Sequence, residues 1–138
     1  YPVTDRNFET ESYLAHADGR FLTRAAMIWF FEQYLGENVQ SDDPYVVPLR
    51  AADLGKLPPA VVLHAEFDPL ADDALAYAAR LAEAGTPVVS LAAPGLLHGF
   101  LRRPDYFPEA ETMLSQIAQT IGDMVDQARL SSAAEIDT

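Results

Sequence analysis

The sequence predicts an α/β fold in which two parallel strands alternate with three helices, in the order α-β-α-β-α, and three observations predict it. Ala60-Val61-Val62-Leu63-His64-Ala65 is a short continuous apolar run, which suits a strand covered on both faces. Val88-Val89-Ser90-Leu91 is a second such run, and a helical pattern lies between the two, so strand, helix and strand occupy about 30 residues, the length of a parallel crossover unit. Segments dense in apolar residues at helical spacing, 23–35 and 108–129, flank that unit.

Taken in order, the chain opens with a polar, irregular stretch. The first helix follows: apolar residues recur at 22, 25, 26 and 29, Thr23 suits its amino-terminal cap, and Gly36 can close it after Leu35. Residues 36–59 read as a long loop, with Asp42-Asp43-Pro44 and Pro58-Pro59 as breakers and a short turn around Ala51 to Leu54. Asp68-Pro69-Leu70 ends the first strand. The second helix covers 72–84, where Asp72 and Asp73 suit the positive end of the helix dipole and Gly85 is the natural stop. The third helix runs from Pro108, in its first turn, to about Arg129, with Leu114, Ile117, Ala118, Ile121, Met124, Val125 and Ala128 in one stripe. Residues 1–129 are assigned to one domain and 130–138 to a flexible tail, and no internal repeat or low-complexity tract is present.

Composition narrows the chemistry. The 138 residues carry nine Lys plus Arg against 21 Asp plus Glu, a formal charge of -12, with 49% apolar residues. That is the size and balance of one packed domain. A single Lys, Lys56, and eight Arg against 21 acids leave little to neutralise phosphates, which argues against nucleic acid as a partner. No cysteine is present, so a disulfide framework, a thiolate zinc site and a cysteine nucleophile are excluded together. No window reaches 18 consecutive apolar residues, so no membrane span is expected. Tyr1-Pro2-Val3-Thr4-Asp5 has neither a basic nor a hydrophobic leader region, which favours the cytoplasm, but with no initiating Met the true amino terminus is out of view.

In an open parallel sheet, reactive groups collect outside the carboxyl ends of the strands. Two residues land there: Asp68 just after the first strand, and His98 after the second, in Gly95-Leu96-Leu97-His98-Gly99-Phe100. Neighbouring strands lie about 5 Å apart, so loops leaving the same edge can bring the carboxylate to the imidazole. A carboxylate on one ring N–H fixes the tautomer and leaves the other nitrogen free to accept a proton. Each residue also has a plainer reading. Asp68 before Pro69 suits a turn or a cap for the following helix, and His98 between glycines suits an ordinary partly exposed histidine.

A nucleophile is missing. Ser12, Ser41, Ser90, Ser115, Ser131 and Ser132 all lie outside a G-x-S-x-G elbow, and no HGGG-like stretch supplies oxyanion amides. His16, His64 and His98 are far apart and lack metal-ligand spacing, so neither a metal nor another cofactor is expected. His64 reads as a core histidine bonded to a backbone or side-chain group. The pairs Asp42-Asp43 and Asp72-Asp73 read as solvated turn and helix-start residues. Trp29, Phe30, Phe31 and Tyr34 read as core, with a substrate-pocket wall as the alternative.

Three segments together resemble one family. They are Leu57-Pro58-Pro59-Ala60 through Glu66-Phe67-Asp68-Pro69-Leu70-Ala71-Asp72, the Ala82-Glu83-Ala84-Gly85-Thr86-Pro87-Val88 crossover, and Gly95-Leu96-Leu97-His98-Gly99-Phe100. They resemble the carboxyl-terminal part of the hormone-sensitive-lipase-like carboxylesterases of the α/β-hydrolase fold, as do Tyr1-Pro2-Val3, Phe21-Leu22-Thr23, Asp43-Pro44-Tyr45 and Pro48-Leu49. The resemblance implies a Ser, Asp, His triad with Asp68 as the acid and His98 as the general base, acting on short-to-medium acyl esters through an acyl-enzyme. It also implies Leu70 and Phe100, beside the matched positions, as substrate-binding pocket walls, and the last strands of a larger sheet as the fold. Family members carry the nucleophile elbow and oxyanion loop upstream, and this chain begins after both.

Two functions follow. In the first, the chain is the carboxyl-terminal portion of a serine esterase, inactive alone and partnered by the missing amino-terminal part of the same domain and by a small-molecule ester. In the second, it is a non-catalytic α/β interaction domain derived from a hydrolase. Coding sequence upstream of Tyr1 with G-x-S-x-G and an HGG-type loop selects the first, and a reading frame starting at Tyr1 selects the second. Strand 88–91 is expected at an edge, where pairing with its two-fold copy makes a homodimer possible.

Overall fold

The computed structural model describes residues 1–18, 21–38 and 40–136, with side chains as far as 130. It divides into two compact units, Tyr1–Gly99 and Phe100–Thr138. The first holds α1 (Glu11–Ala15), α2 (Arg24–Leu35), β1 (Ala60–Phe67), α3 (Ala71–Glu83) and β2 (Val88–Leu97), and the second holds α4 (Glu109–Ile136). Single 3-10 turns lie at Gly36–Asn38, Pro48–Arg50 and Phe100–Arg102.

The two strands pair in parallel, with Ala60 opposite Val88 and the register held through Ala65 opposite Ala93. Val62 and Leu63 are consecutive, so they point to opposite faces, and both are buried. Both faces of β1 are therefore covered, as its unbroken apolar run requires. One face is covered by α3, whose Ala74, Ala78 and Leu81 pack with Val62 and Leu54. Gly85, at φ 78°, ends α3 in the left-handed conformation that suits glycine. Thr86 N–H then reaches back to Leu81 C=O at 2.9 Å, satisfying one of the helix's last carbonyls.

A second cluster gathers Tyr13, Met27, Phe31, Val47 and Leu70. Thr23 caps α2 as expected, its Oγ1 accepting Ala26 N–H at 3.0 Å. Met27 and Phe31 lie four residues apart and are both buried, whereas Trp29, Phe30 and Tyr34 are 54%, 50% and 72% exposed. Of the aromatic group, Phe31 alone is core.

The opening stretch is ordered by the start of α3. Asp73 Oδ2 accepts the N–H groups of Thr4 at 2.9 Å and Asp5 at 3.0 Å. Asp72 Oδ2 accepts Ser12 N–H at 2.8 Å, and Ser12 Oγ in turn accepts Asp72 N–H at 3.2 Å while donating to Pro69 C=O at 2.6 Å. Each carboxylate thus satisfies backbone donors 60 or more residues away; Asp73 is buried, which corrects its solvated reading, while Asp72 stays partly exposed at the helix start. Asp42 behaves differently: Arg6 and Arg50 both bond its exposed carboxylate and hold it below the usual carboxylate range.

In the second unit the Phe100–Arg102 turn packs on α4. Arg103 bonds Asp105 at 3.0 Å and lies over the Tyr106 ring at 4.0 Å. The helix continues past Arg129 to Ile136, and the flexible tail expected at 130–138 falls almost wholly outside the described side chains. Among the described residues no helix is long and apolar enough to cross a membrane.

Candidate active site

The register of the sheet delivers the site. Phe67 and Leu97 are partners at the carboxyl ends of β1 and β2, so the next residue of each strand, Asp68 and His98, leaves the same rim side by side. His98 Nδ1 stands 2.9 Å from Asp68 Oδ2. Asp68 is fully buried, and its other oxygen, Oδ1, accepts Leu70 N–H at 2.8 Å, closing an Asx turn over Pro69. The His98 side chain remains 21% exposed. A buried carboxylate on Nδ1 holds that nitrogen protonated and leaves Nε2 as the free basic atom, the arrangement that proton abstraction from a hydroxyl needs. The turn reading of Asp68 and the imidazole contact are compatible, because each carboxylate oxygen serves a different donor.

Two further features lie beside the imidazole. The Tyr1 ring lies against it with centroids 4.5 Å apart and planes tilted by 52°. Gly99 follows at φ 80°, a conformation that favours glycine, and a Cβ there would stand 3.1 Å from Phe21 Cε1, so the ring would have to give by a few tenths of an ångström.

The other acids near the rim are committed elsewhere: Glu66 to Gly95 N–H at 2.6 Å, Asp72 to Ser12 N–H, and Asp73 to Thr4 and Asp5. Burial raises the Asp73 carboxyl to about 6, against which the two backbone donors act. Of the other histidines, His16 lies edge-on to Phe67 at 5.9 Å. His64 has a buried Nδ1 with no hydrogen-bond partner among the described residues, and burial lowers its pKa from the ordinary value. Among the described residues no group of three or more His, Cys, Asp or Glu can hold a metal ion.

Leu70 is 1% exposed, its side chain in the cluster with Tyr13, Met27, Phe31 and Val47. Phe100 is fully buried in the turn that opens the second unit. An apolar cleft of about 260 Å³ opens between Val3, Met27, Phe30, Phe31, Tyr34 and Val46. Ser12 Oγ is bonded to Pro69 C=O, Ser41 Oγ accepts Asp43 N–H at 3.2 Å, Ser90 lies within β2, and Ser115 is on α4. The side chains of Ser131 and Ser132 lie outside the described residues. Sequence reasoning missed the Glu66–Gly95 bond and the rings of Tyr1 and Phe21 beside His98 and Gly99. The Pro94-Gly95 dipeptide inside a strand is the available signal for the first.

A family profile described as alpha/beta hydrolase fold matches residues 1–102. The chain is 33% identical over 121 residues to the ethyl acetate hydrolase of Pseudomonas putida, covering 88% of this chain and 38% of that protein. It is 41% identical over 102 residues to the carboxylic ester hydrolase LipN of Mycobacterium tuberculosis, covering 73% and 27%. The ester hydrolase EH1AB1 from the metagenome of Lake Arreo, solved with a bipyridine phosphonate derivative, superposes with a TM-score of 0.83 at 39% identity, covering 91% of this chain and 40% of that one. The chain thus spans between 27% and 38% of the length of these two curated relatives. A parallel pair of strands with flanking helices, consistent with the carboxyl-terminal portion of such a sheet, and matches at this identity are enough: the chain belongs to the α/β-hydrolase-fold family, in its hormone-sensitive-lipase-like carboxylesterase branch.

Proposed function

We propose that the chain supplies the acid and base of a serine carboxylesterase acting on short-to-medium acyl esters, the nucleophile and oxyanion amides being carried by an amino-terminal segment outside these 138 residues. The observation that carries the reading is the 2.9 Å contact between His98 Nδ1 and the buried Asp68 carboxylate, with the other imidazole nitrogen left for chemistry. His98 Nε2 takes the proton of the serine hydroxyl as its oxygen bonds the ester carbonyl carbon. Asp68 stabilises the resulting imidazolium, which returns the proton to the departing alkoxide. Water then enters: His98 Nε2 takes its proton as the water oxygen bonds the acyl carbon, the bond from that carbon to the serine oxygen breaks, and the imidazolium returns the proton to the serine oxygen as the carboxylic acid leaves.

The relatives are ester hydrolases, and the apolar cleft beside α2 offers room for an acyl chain, which supports the substrate class. The reading extends to two protein partners: the amino-terminal part of the same domain, and a second copy paired through strand 88–91. A fluorophosphonate label on the complete protein, followed by peptide mapping, tests the function. A labelled serine upstream of Tyr1, with labelling slowed in His98→Ala, is the expected result. Labelling at a serine within these residues, or none together with no ester turnover, overturns it. The 138-residue chain alone is expected to hydrolyse no more ester than its His98→Ala variant.

A further inference from the structure

Between Ala65 and Phe67 the first strand advances by two residues, while its partner advances by four, from Ala93 to Leu97. The strand β2 therefore carries a bulge across Pro94, Gly95 and Leu96, immediately before the end of the strand and His98. Pro94 has no N–H to give to a ladder, and Gly95 takes φ 73°, which turns its own N–H out of register. That donor is met by a side chain: Glu66 Oε2, on the single β1 residue facing the bulge, accepts Gly95 N–H at 2.6 Å, a short charge-assisted bond. Downstream of it, Phe67 and Leu97 regain register and Asp68 meets His98. With the register unbroken from Ala65 and Ala93, Phe67 would pair with Gly95 and Asp68 would face Leu96, leaving His98 beyond the rim rather than against the carboxylate.

We propose that Glu66 is a positioning residue for the reaction, its carboxylate standing in for a strand carbonyl to fix the bulge that sets His98 on Asp68. The proposal rests on the esterase reading for its consequence in turnover, but its structural content does not. Glu66 is exposed, and its carboxylate bonds Gly95 N–H, so it acts through the strand. What the bulge needs is an acceptor at that point and not a charge, so the neutral amide of glutamine serves.

The test compares Glu66→Ala with Glu66→Gln in the complete protein by nuclear magnetic resonance, reading Gly95 amide exchange and the low-field Nδ1–H proton of His98. Glu66→Ala is expected to speed Gly95 exchange roughly tenfold or more, the factor that losing one charge-assisted bond corresponds to, and to broaden or erase the His98 signal. Glu66→Gln is expected to keep both within about threefold of wild type. Circular dichroism checks that both variants remain folded. Wild-type behaviour in Glu66→Ala overturns the proposal, as does equal loss in both variants, which would make the charge and not the acceptor the active feature. Neither readout depends on ester turnover, so an inactive complete protein would sink the proposed function while leaving this result standing.

Discussion

The Asp68 carboxylate is shared between two donors: Oδ2 faces His98 Nδ1 at 2.9 Å, and Oδ1 accepts Leu70 N–H at 2.8 Å. An asparagine there can keep one partner properly and not both. With its oxygen on Leu70 N–H, its NH₂ faces His98 Nδ1 and forces the proton onto Nε2, the wrong tautomer for a base. Asp68→Asn is therefore expected to lower ester turnover in the complete protein by roughly 10² to 10⁴ with the fold retained, and His98→Ala by a similar factor. Initial rates on a short acyl ester, with circular dichroism as the control, check this. Near wild-type rates in Asp68→Asn would remove Asp68 from the reaction.

Gly99 sits at φ 80° under the ring of Phe21, which itself holds φ 105°. Gly99→Ala meets two separate penalties, the left-handed backbone and a contact 3.1 Å from Phe21 Cε1. A loss of about 1–3 kcal/mol in urea unfolding is expected. Phe21→Ala in the same chain removes the contact but not the backbone cost, so the double variant should recover only part of the loss. Full recovery would show that φ contributes nothing.

Asp73 gives a pH dependence whose sign is opposite to that of a salt-bridged acid. Burial holds its folded pKa at about 6, above the usual carboxylate value, so the folded chain binds the extra proton. The stability tied to that proton is present below about pH 4 and lost as pH rises through about 6. Asp73→Asn removes the buried charge while its amide oxygen can still accept from Thr4 and Asp5. Its stability relative to wild type should therefore rise between about pH 4 and pH 7, by up to ~3 kcal/mol at about 1.36 kcal/mol per pKa unit. Urea midpoints across that range decide it, and a flat difference would show that Asp73 titrates as an ordinary acid.

Both strands, the three long helices and the meeting of Asp68 with His98 are legible in the sequence because each rests on local chemistry: unbroken apolar runs, a Thr23 cap, a Gly85 stop, and position after a strand. What escapes depends on partners distant in sequence. The five residues of α1 are too few to nucleate a helix alone and are held by Asp72, 60 residues on. The apolar pattern carries the second strand only to Leu91, because Pro94 and Gly95 look like breakers. It continues to Leu97 because Glu66 on the neighbouring strand completes the bulge. The aromatic residues of α2 look like one core group by composition, and only Phe31 is covered by the distant Tyr13, Val47 and Leu70, while Trp29, Phe30 and Tyr34 stay half or more exposed.

Ser12 separates a structural serine from a reacting one. Its hydroxyl donates to Pro69 C=O at 2.6 Å and accepts Asp72 N–H at 3.2 Å, which ties α1 to the turn that presents Asp68. Ser12→Ala leaves a buried carbonyl and a helix-start N–H without that partner, a loss expected to cost about 1–3 kcal/mol in urea unfolding. Its hydroxyl is committed to the backbone, so ester turnover by the complete protein at temperatures well below unfolding should stay within about threefold of wild type, far from the effect of removing a nucleophile. A collapse of turnover with stability unchanged would reverse the assignment and put the nucleophile on this chain.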